Sequence, residues 1–265
     1  LAEAGIEVEQ ALRTRHVGAL VRFAEDAVRQ NVPLLVTGGG DGTQSAVATA
    51  LQGHETIQGV LPLGTGNAFA RDLEIPASVP EAVEILGRGN VRAVDVGVLG
   101  DATFLNVATI GISTAIAASL DPQLKRTLGR ASYFFAALRA ARYVRPFMAE
   151  LETDNGRDMF EAIQLVIGNG QYHAGPFPIS PEASLHEGRL SVYALRQASP
   201  ATVLRFLLRL RSGTHGELAE VHAEECTWGR LVTEPAMRVT VDGEGRERTP
   251  ATFTVNPASL RVLVP

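Results

Sequence analysis

Pro33 to Thr43 reads PLLVTGGGDGT: a short apolar run of strand type, three glycines, then an acid, a glycine and a threonine opening a helix-forming stretch. Consecutive glycines let a backbone approach a bulky anion and adopt positive φ without a Cβ clash. The amides of a following helix N-terminus carry partial positive charge, which suits phosphate. Asp41 cannot attract phosphate itself; it makes sense beside a nucleotide only with Mg²⁺ or an arginine between them. The bland reading is a tight strand-to-helix turn in which Asp41 caps the helix.

The design repeats. Ile57 to Leu61 reads as a second buried strand, followed at once by Leu63 to Asn67, LGTGN. Two such loops at the carboxyl ends of adjacent strands would face one another at the edge where open α/β sheets bind ligands. Helices are expected over His16 to Gln30, with Val17, Leu20, Val21, Ala24 and Val28 on one stripe, over Thr43 to Leu51, and from Ser78 to Leu86, where Glu81 completes a capping box. Strand, glycine loop and helix in alternation predict a mostly parallel sheet.

Near Val91 the texture changes. Strands are expected at Val94 to Leu99 and Thr103 to Ile110, then a long helical segment from Ser113 to Arg145. Met148 to Thr153 and Met159 to Ile167 flank Asp154-Asn155-Gly156, a strong hairpin signal. Further strands are read at Arg189 to Leu195, Val221 to Thr233, Met237 to Val241 and Glu247 to Val255, with one helix from Ser199 to Arg211. The expected architecture is α/β plus all-β. An α/β nucleotide-binding domain of Rossmann-like type spans 1–92, with the tail 257–265 returning to it, and a larger antiparallel β-sandwich domain spans 93–256.

Composition narrows the function classes. The 265 residues are 45% hydrophobic and 20% charged, an ordinary globular balance. A net charge of −5 gives no reason to expect nucleic acid as a partner. Cys226 is the one cysteine, so no internal disulfide forms. No apolar run reaches the ~18 residues a membrane span needs, and a cytoplasmic protein, at most peripheral at the inner membrane face, is expected. Lys125 is the one lysine, so phosphate must be bound by backbone amides, arginine or metal. Asp242-Gly243-Glu244 lies in a turn between strand-like runs; two carboxylates there fit a metal site or a general base.

These motifs in order, with Asp95-Val96-Gly97, Phe104-Leu105-Asn106, Gly168-Asn169-Gly170 and SPEASLHEGRL at Ser180 to Leu190, resemble the diacylglycerol kinase catalytic-domain family over nearly the whole chain. That resemblance implies an NAD kinase/diacylglycerol kinase-like fold and an ATP-dependent, Mg²⁺-requiring lipid kinase acting on a diacylglycerol-like hydroxyl at a membrane surface, with a homodimer as the family's usual assembly. It places ATP phosphates on Gly39, Gly40, Asp41, Gly42 and Thr43, and further nucleotide contacts on Gly64, Thr65, Asn67 and Thr14. Glu244 becomes the base, with Asp41 and Asp95 near the reacting groups; a structural Mg²⁺ falls to Ser184, Glu187 and Arg189. The segment Ala131 to Val144 is a candidate for dipping into the membrane, against a plain core role. The chain departs from the family at Ser45-Ala46, where Asn-Glu is usual, at Ala68, where an acid is usual, and at Glu187, where aspartate is usual. The family's first strand and its N-P-x-S-G loop do not occur in it. An NAD kinase-like enzyme and a degraded, nucleotide- or lipid-binding regulator are the competing readings.

Overall fold

The computed structural model describes residues 5–111, 145–173, 177–178, 180, 183–196 and 199–265. The long helix expected from Ser113, and with it the membrane-dipping segment, lies outside these residues.

The N-terminal part alternates as its periodicity demands: α1 (Val17–Arg29), β1 (Leu34–Gly39), α2 (Asp41–Leu51), β2 (Ile57–Pro62), α3 (Ala68–Asp72) and α4 (Val79–Arg88). β1 and β2 are parallel, with Gly38 opposite Leu61 and Gly39 opposite Pro62. Both glycine loops therefore leave the sheet at one level. The helices close over a core that includes Ala24, Val47, Leu51, Val60, Phe69 and Leu260. Ser78 stands at the N-cap of α4, but its side chain makes no capping hydrogen bond there, so the expected capping box does not form.

The remainder comprises β3 (Asn90–Leu99), β4 (Ala102–Phe104), β5 (Val107–Gly111), β6 (Phe147–Thr153), β7 (Gly156–Ala162), β8 (Gln164–Gly168), β9 (Tyr172–His173), β10 (Phe177–Pro178), β11 (Leu190–Leu195), β12 (Val221–Cys226), β13 (Trp228–Glu234), β14 (Arg238–Val241), β15 (Glu244–Arg248) and β16 (Ala251–Val264), interrupted by α5 (Pro200–Ser212), and all but β9 and β10 join two packed sheets. The first sheet runs β1-β2-β16-β13-β6-β7, with β3 on β16 and β4 on β3. The second runs β12-β11-β8-β5-β14-β15. Leu99, Phe104, Phe147, Leu151, Leu165 and Phe253 pack between them. β9 and β10 form a separate ribbon.

Three expected single strands are pairs. The run from Met159 breaks at Ile163, so β7 joins the first sheet and β8 the second. Val221 to Thr233 breaks at Thr227, again placing its halves in different sheets. Thr103 to Ile110 breaks at Leu105-Asn106, where the backbone amides turn to a carboxylate rather than to a neighbouring strand. The last strand, β16, joins both parts. Its first half pairs with β13 and the end of β3; after an irregularity between Asn256 and Leu260, its second half pairs with the start of β3 and places Val262 beside Gln58 of β2. The boundary expected at 92/93 falls inside β3, which runs unbroken from Asn90 to Leu99.

Candidate active site

The two glycine loops touch. Leu63 N–H donates to the carbonyl of Gly39 at 3.0 Å. A Cβ on Gly64 would lie 2.4 Å from the Cα of Gly40, and one on Gly39 would lie 2.5 Å from the Cβ of Thr43. No side chain fits at these positions, so the glycines serve close backbone approach. Gly40 is the N-cap of α2 and offers no capping side chain to the amides of Asp41 and Gly42, while Thr43 N–H donates to the Gly40 carbonyl at 2.9 Å. Asp41 sits in that first turn; one carboxylate oxygen accepts from Phe69 N–H at 3.1 Å and so fastens α2 to α3. Asn67, in the left-handed region at φ 48°, folds the second loop: its Oδ1 accepts from Gly64 N–H at 2.9 Å, and its Nδ2 donates to the carbonyls of Gly64 and Pro62. Thr65 is exposed at the loop's tip. Thr14, half-buried ahead of α1, accepts from His16 N–H at 3.0 Å.

A third turn closes on these loops. Asp242, at φ 43° between β14 and β15, accepts from Ser45 Oγ at 2.6 Å and from the amides of Leu105 and Val107, each at 2.8 Å. Asn106 N–H adds a longer contact at 3.2 Å. Burial pushes the Asp242 carboxyl above its ordinary value, against the opposing pull of Ser45 and these amides, and nearby Asp41 pushes it the same way. A Cβ on Gly42 would meet the Asp242 carbonyl at 3.8 Å. The first turn of α2, the break before β5 and the Asp242-Gly243-Glu244 turn thus meet at one place. Glu244 opens β15 opposite Val241; its side chain lies outside the described residues.

Asp95 is 2% exposed and both its carboxylate oxygens hold backbone: Gly188 N–H at 2.6 Å and Ala258 N–H at 2.8 Å. Its own amide donates to Leu185 at 2.7 Å. This carboxylate fixes the loop at residues 183–189 and the irregularity in β16. Ser184 is half-buried, and Glu187 and Arg189 are exposed. The loop owes its shape to Asp95, and Glu187 is the one carboxylate it carries. Among the described residues no group of three His, Cys, Asp or Glu side chains could hold a metal ion. A structural Mg²⁺ here would be held by Glu187 as the one side-chain ligand, with Ser184 and Arg189 contributing backbone carbonyls.

Sequence reading took Asp242 as one of a carboxylate pair for a metal or a base, met Ser45 and Asn106 only within motifs, and passed over Asp72. Asp242 and Ser45 act through contacts between distant positions. Asn106 is 3% exposed and its carboxamide has no hydrogen-bond partner among the described residues. Asp72 accepts from Gln171 N–H at 3.0 Å, and a Cβ on Gly170 would lie 2.3 Å from its other, unpartnered oxygen. Burial pushes Asp72 up to about 7, with Asp41 adding and Arg71 opposing. Arg71 lies over the Tyr172 ring at 5.3 Å. Asp72 and Arg71 together dock α3 on the stretch after β8. A cavity of about 190 Å³ beside them is lined by Asp72, Arg92, Gln171, Ser184 and His186 among others. Only the glycine pattern of GNG hinted at this close approach.

The α/β unit thus presents paired glycine loops against a turn of the β-sandwich, at the edge where open α/β sheets bind ligands. Comparison with known proteins narrows the class. The sequence model of the diacylglycerol kinase catalytic domain matches residues 1–99, and that of the YegS C-terminal NAD kinase beta sandwich-like domain matches residues 106–264. A protein of Klebsiella pneumoniae named "Probable lipid kinase YegS-like" is 30% identical over 268 residues, covering 100% of this chain and 89% of its own length. A Pseudomonas aeruginosa protein of the same name is 32% identical over 265 residues, covering 99% and 86%. The crystal structure of a diacylglycerol kinase from Bacillus anthracis superposes with a TM-score of 0.73 at 20% identity, over 96% of this chain and 84% of that one, a likeness of fold. The chain belongs to the YegS-like lipid kinase family of diacylglycerol kinase catalytic-domain proteins.

Proposed function

We propose that this chain is an ATP-dependent kinase that transfers the γ-phosphoryl group to the hydroxyl of a diacylglycerol-like lipid. The observation that carries the reading is the backbone contact of the two glycine loops at Gly40 and Gly64, with the Asp242-Gly243-Glu244 turn against the first turn of α2. Gly39, Gly40, Gly42 and Thr43 offer amides and a hydroxyl to the phosphates, the space for them kept open by the missing side chains. Thr65 and Thr14 are the further nucleotide contacts. Asn67 acts by holding the loop. Mg²⁺ brought with the nucleotide fits Asp41, whose second carboxylate oxygen has no partner among the described residues, and would neutralise phosphate charge.

Transfer itself needs in-line positioning more than covalent help. The lipid hydroxyl oxygen forms the new bond to the γ-phosphorus, the bond from that phosphorus to the bridging oxygen breaks, and ADP leaves. Glu244 receives the hydroxyl proton. Asp242 positions that residue: its carboxylate fixes the start of the turn against α2 and β5. Ser45 meets Asp242 directly, so the loop is steadied without the glutamate that Ala46 replaces; Ala68 is buried in the core and its neighbour Phe69 is held by Asp41. These contacts favour an active enzyme over a degraded one. Work at the inner face of the cytoplasmic membrane, and a homodimer, belong to the same reading.

The test is an acceptor panel: purified protein, labelled ATP and Mg²⁺, with separate micelles of diacylglycerol, monoacylglycerol, phosphatidylglycerol and ceramide, and NAD in solution. Label in a lipid is the expected result. Label in NAD alone, or in nothing while ATP still binds, sinks the proposal.

A further inference from the structure

Helix α5 reads PATVLRFLLRLRS and contains no acidic residue. Its inner side is accounted for: Val203 and Phe206 are buried, with Leu207 and Leu210 packed beside Tyr193 and Val107 on the outer face of the second sheet. The opposite side is also apolar. Leu204 and Leu208, one turn apart, are 39% and 63% exposed, and Ala201 is exposed in the turn before. Arg205 and Arg209 stand beside them, over half and nearly half exposed. Each meets one carboxylate, Glu220 for Arg205 and Glu217 at 2.7 Å for Arg209. The Arg209–Glu217 pair is exposed on both sides and holds its partner weakly, and the Arg205 guanidinium stays open to water although Glu220 is only 16% exposed. A soluble surface helix normally turns polar groups to water. This one presents leucine beside arginine.

Its place gives that pattern a use. α5 packs against β10, β10 pairs with β9, and Tyr172 of β9 lies beneath Arg71 of α3, the helix that carries the second glycine loop. One short ribbon therefore joins α5 to the site. We propose that the outer face of α5 docks on an anionic lipid bilayer, Leu204 and Leu208 entering the acyl boundary and Arg205 and Arg209 meeting lipid phosphates. Apolar anchoring and arginine contacts act together at such a boundary. With a chain of net charge −5, a local basic face also orients the approach, bringing the site toward the membrane. The inference rests on the lipid-kinase reading, since it explains how the enzyme would reach a bilayer-borne acceptor.

The experiment is sedimentation of the full chain with phosphatidylcholine vesicles and with equimolar phosphatidylcholine–phosphatidylglycerol vesicles, without nucleotide or acceptor. Wild type is compared with Leu204→Gln/Leu208→Gln and with Arg205→Gln/Arg209→Gln. Wild type is expected to prefer the anionic vesicles. The leucine variant should bind them at least ten-fold more weakly with an unchanged thermal midpoint, and the arginine variant should lose the anionic preference. No wild-type binding, or equal binding by the leucine variant, overturns the proposal. So does a dimer that the leucine variant dissociates while vesicle binding persists, or a lowered midpoint with binding intact, which would mean that protein covers these leucines. Vesicle binding that follows the predicted pattern while no lipid is phosphorylated would uphold the docking face and defeat the lipid-kinase reading alone.

Discussion

At Ser45 a small hydroxyl replaces the family's usual asparagine and donates to Asp242 at 2.6 Å. Losing a hydrogen bond so that its buried partner is left unsatisfied costs ~1–3 kcal/mol. Ser45→Ala is accordingly expected to lower unfolding stability in urea by about that amount, and a change below ~0.5 kcal/mol would contradict the contact's importance. Asp72 carries the opposite sign. Burial raises it from the ordinary 3.8 to about 7, so the folded chain holds a proton that the unfolded chain releases between these pH values. The stability linked to that proton is complete below about pH 4 and is lost as pH rises through about 7, by on the order of 4 kcal/mol. Asp72→Asn should match wild type near pH 4 and exceed it at pH 8; a difference independent of pH would contradict this. Neither residue was legible as functional in the sequence. The motif glycines and Glu244 sit in recognisable local patterns, whereas the partners of Asp242 lie 135 to 197 positions away.

Among the elements, the two glycine loops were readable because each lies directly between a strand and a helix, and short-range chemistry fixes such turns. Their mutual contact makes a further demand. Gly64→Ala brings a Cβ to 2.4 Å from the Cα of Gly40, both atoms belonging to backbone, so the loops must separate. The variant should stay folded by circular dichroism yet bind ATP at least ten-fold more weakly in calorimetry; unchanged affinity would remove the loops' contact from the account. The β elements were less legible. A period of two reveals a strand but not its sheet, so nothing in the run Met159 to Ile167 announced that Ile163 separates β7 from β8.

Across the whole molecule, β16 and Asp95 hold the α/β part and the sandwich together. β16 contributes one half to each, and Asp95 ties its irregularity at Ala258 to the loop at Gly188. Asp95→Asn leaves one of these amides facing a donor and is expected to cost ~2–3 kcal/mol. Glu187→Ala, at an exposed position, should cost under ~0.5 kcal/mol and leave the Mg²⁺ requirement of activity unchanged. A marked loss of stability on Mg²⁺ removal in wild type but not in Glu187→Ala would support the structural metal site. The central claim concerns the place where α2, β5 and the Asp242-Gly243-Glu244 turn meet. Its most direct test is the single-turnover rate of phosphate transfer from ATP to diacylglycerol in mixed micelles, for wild type and Glu244→Gln, with ATP affinity measured on both. Transfer by wild type, reduced at least 100-fold in the variant at equal ATP affinity, is the predicted result; equal rates in the two proteins would contradict the account.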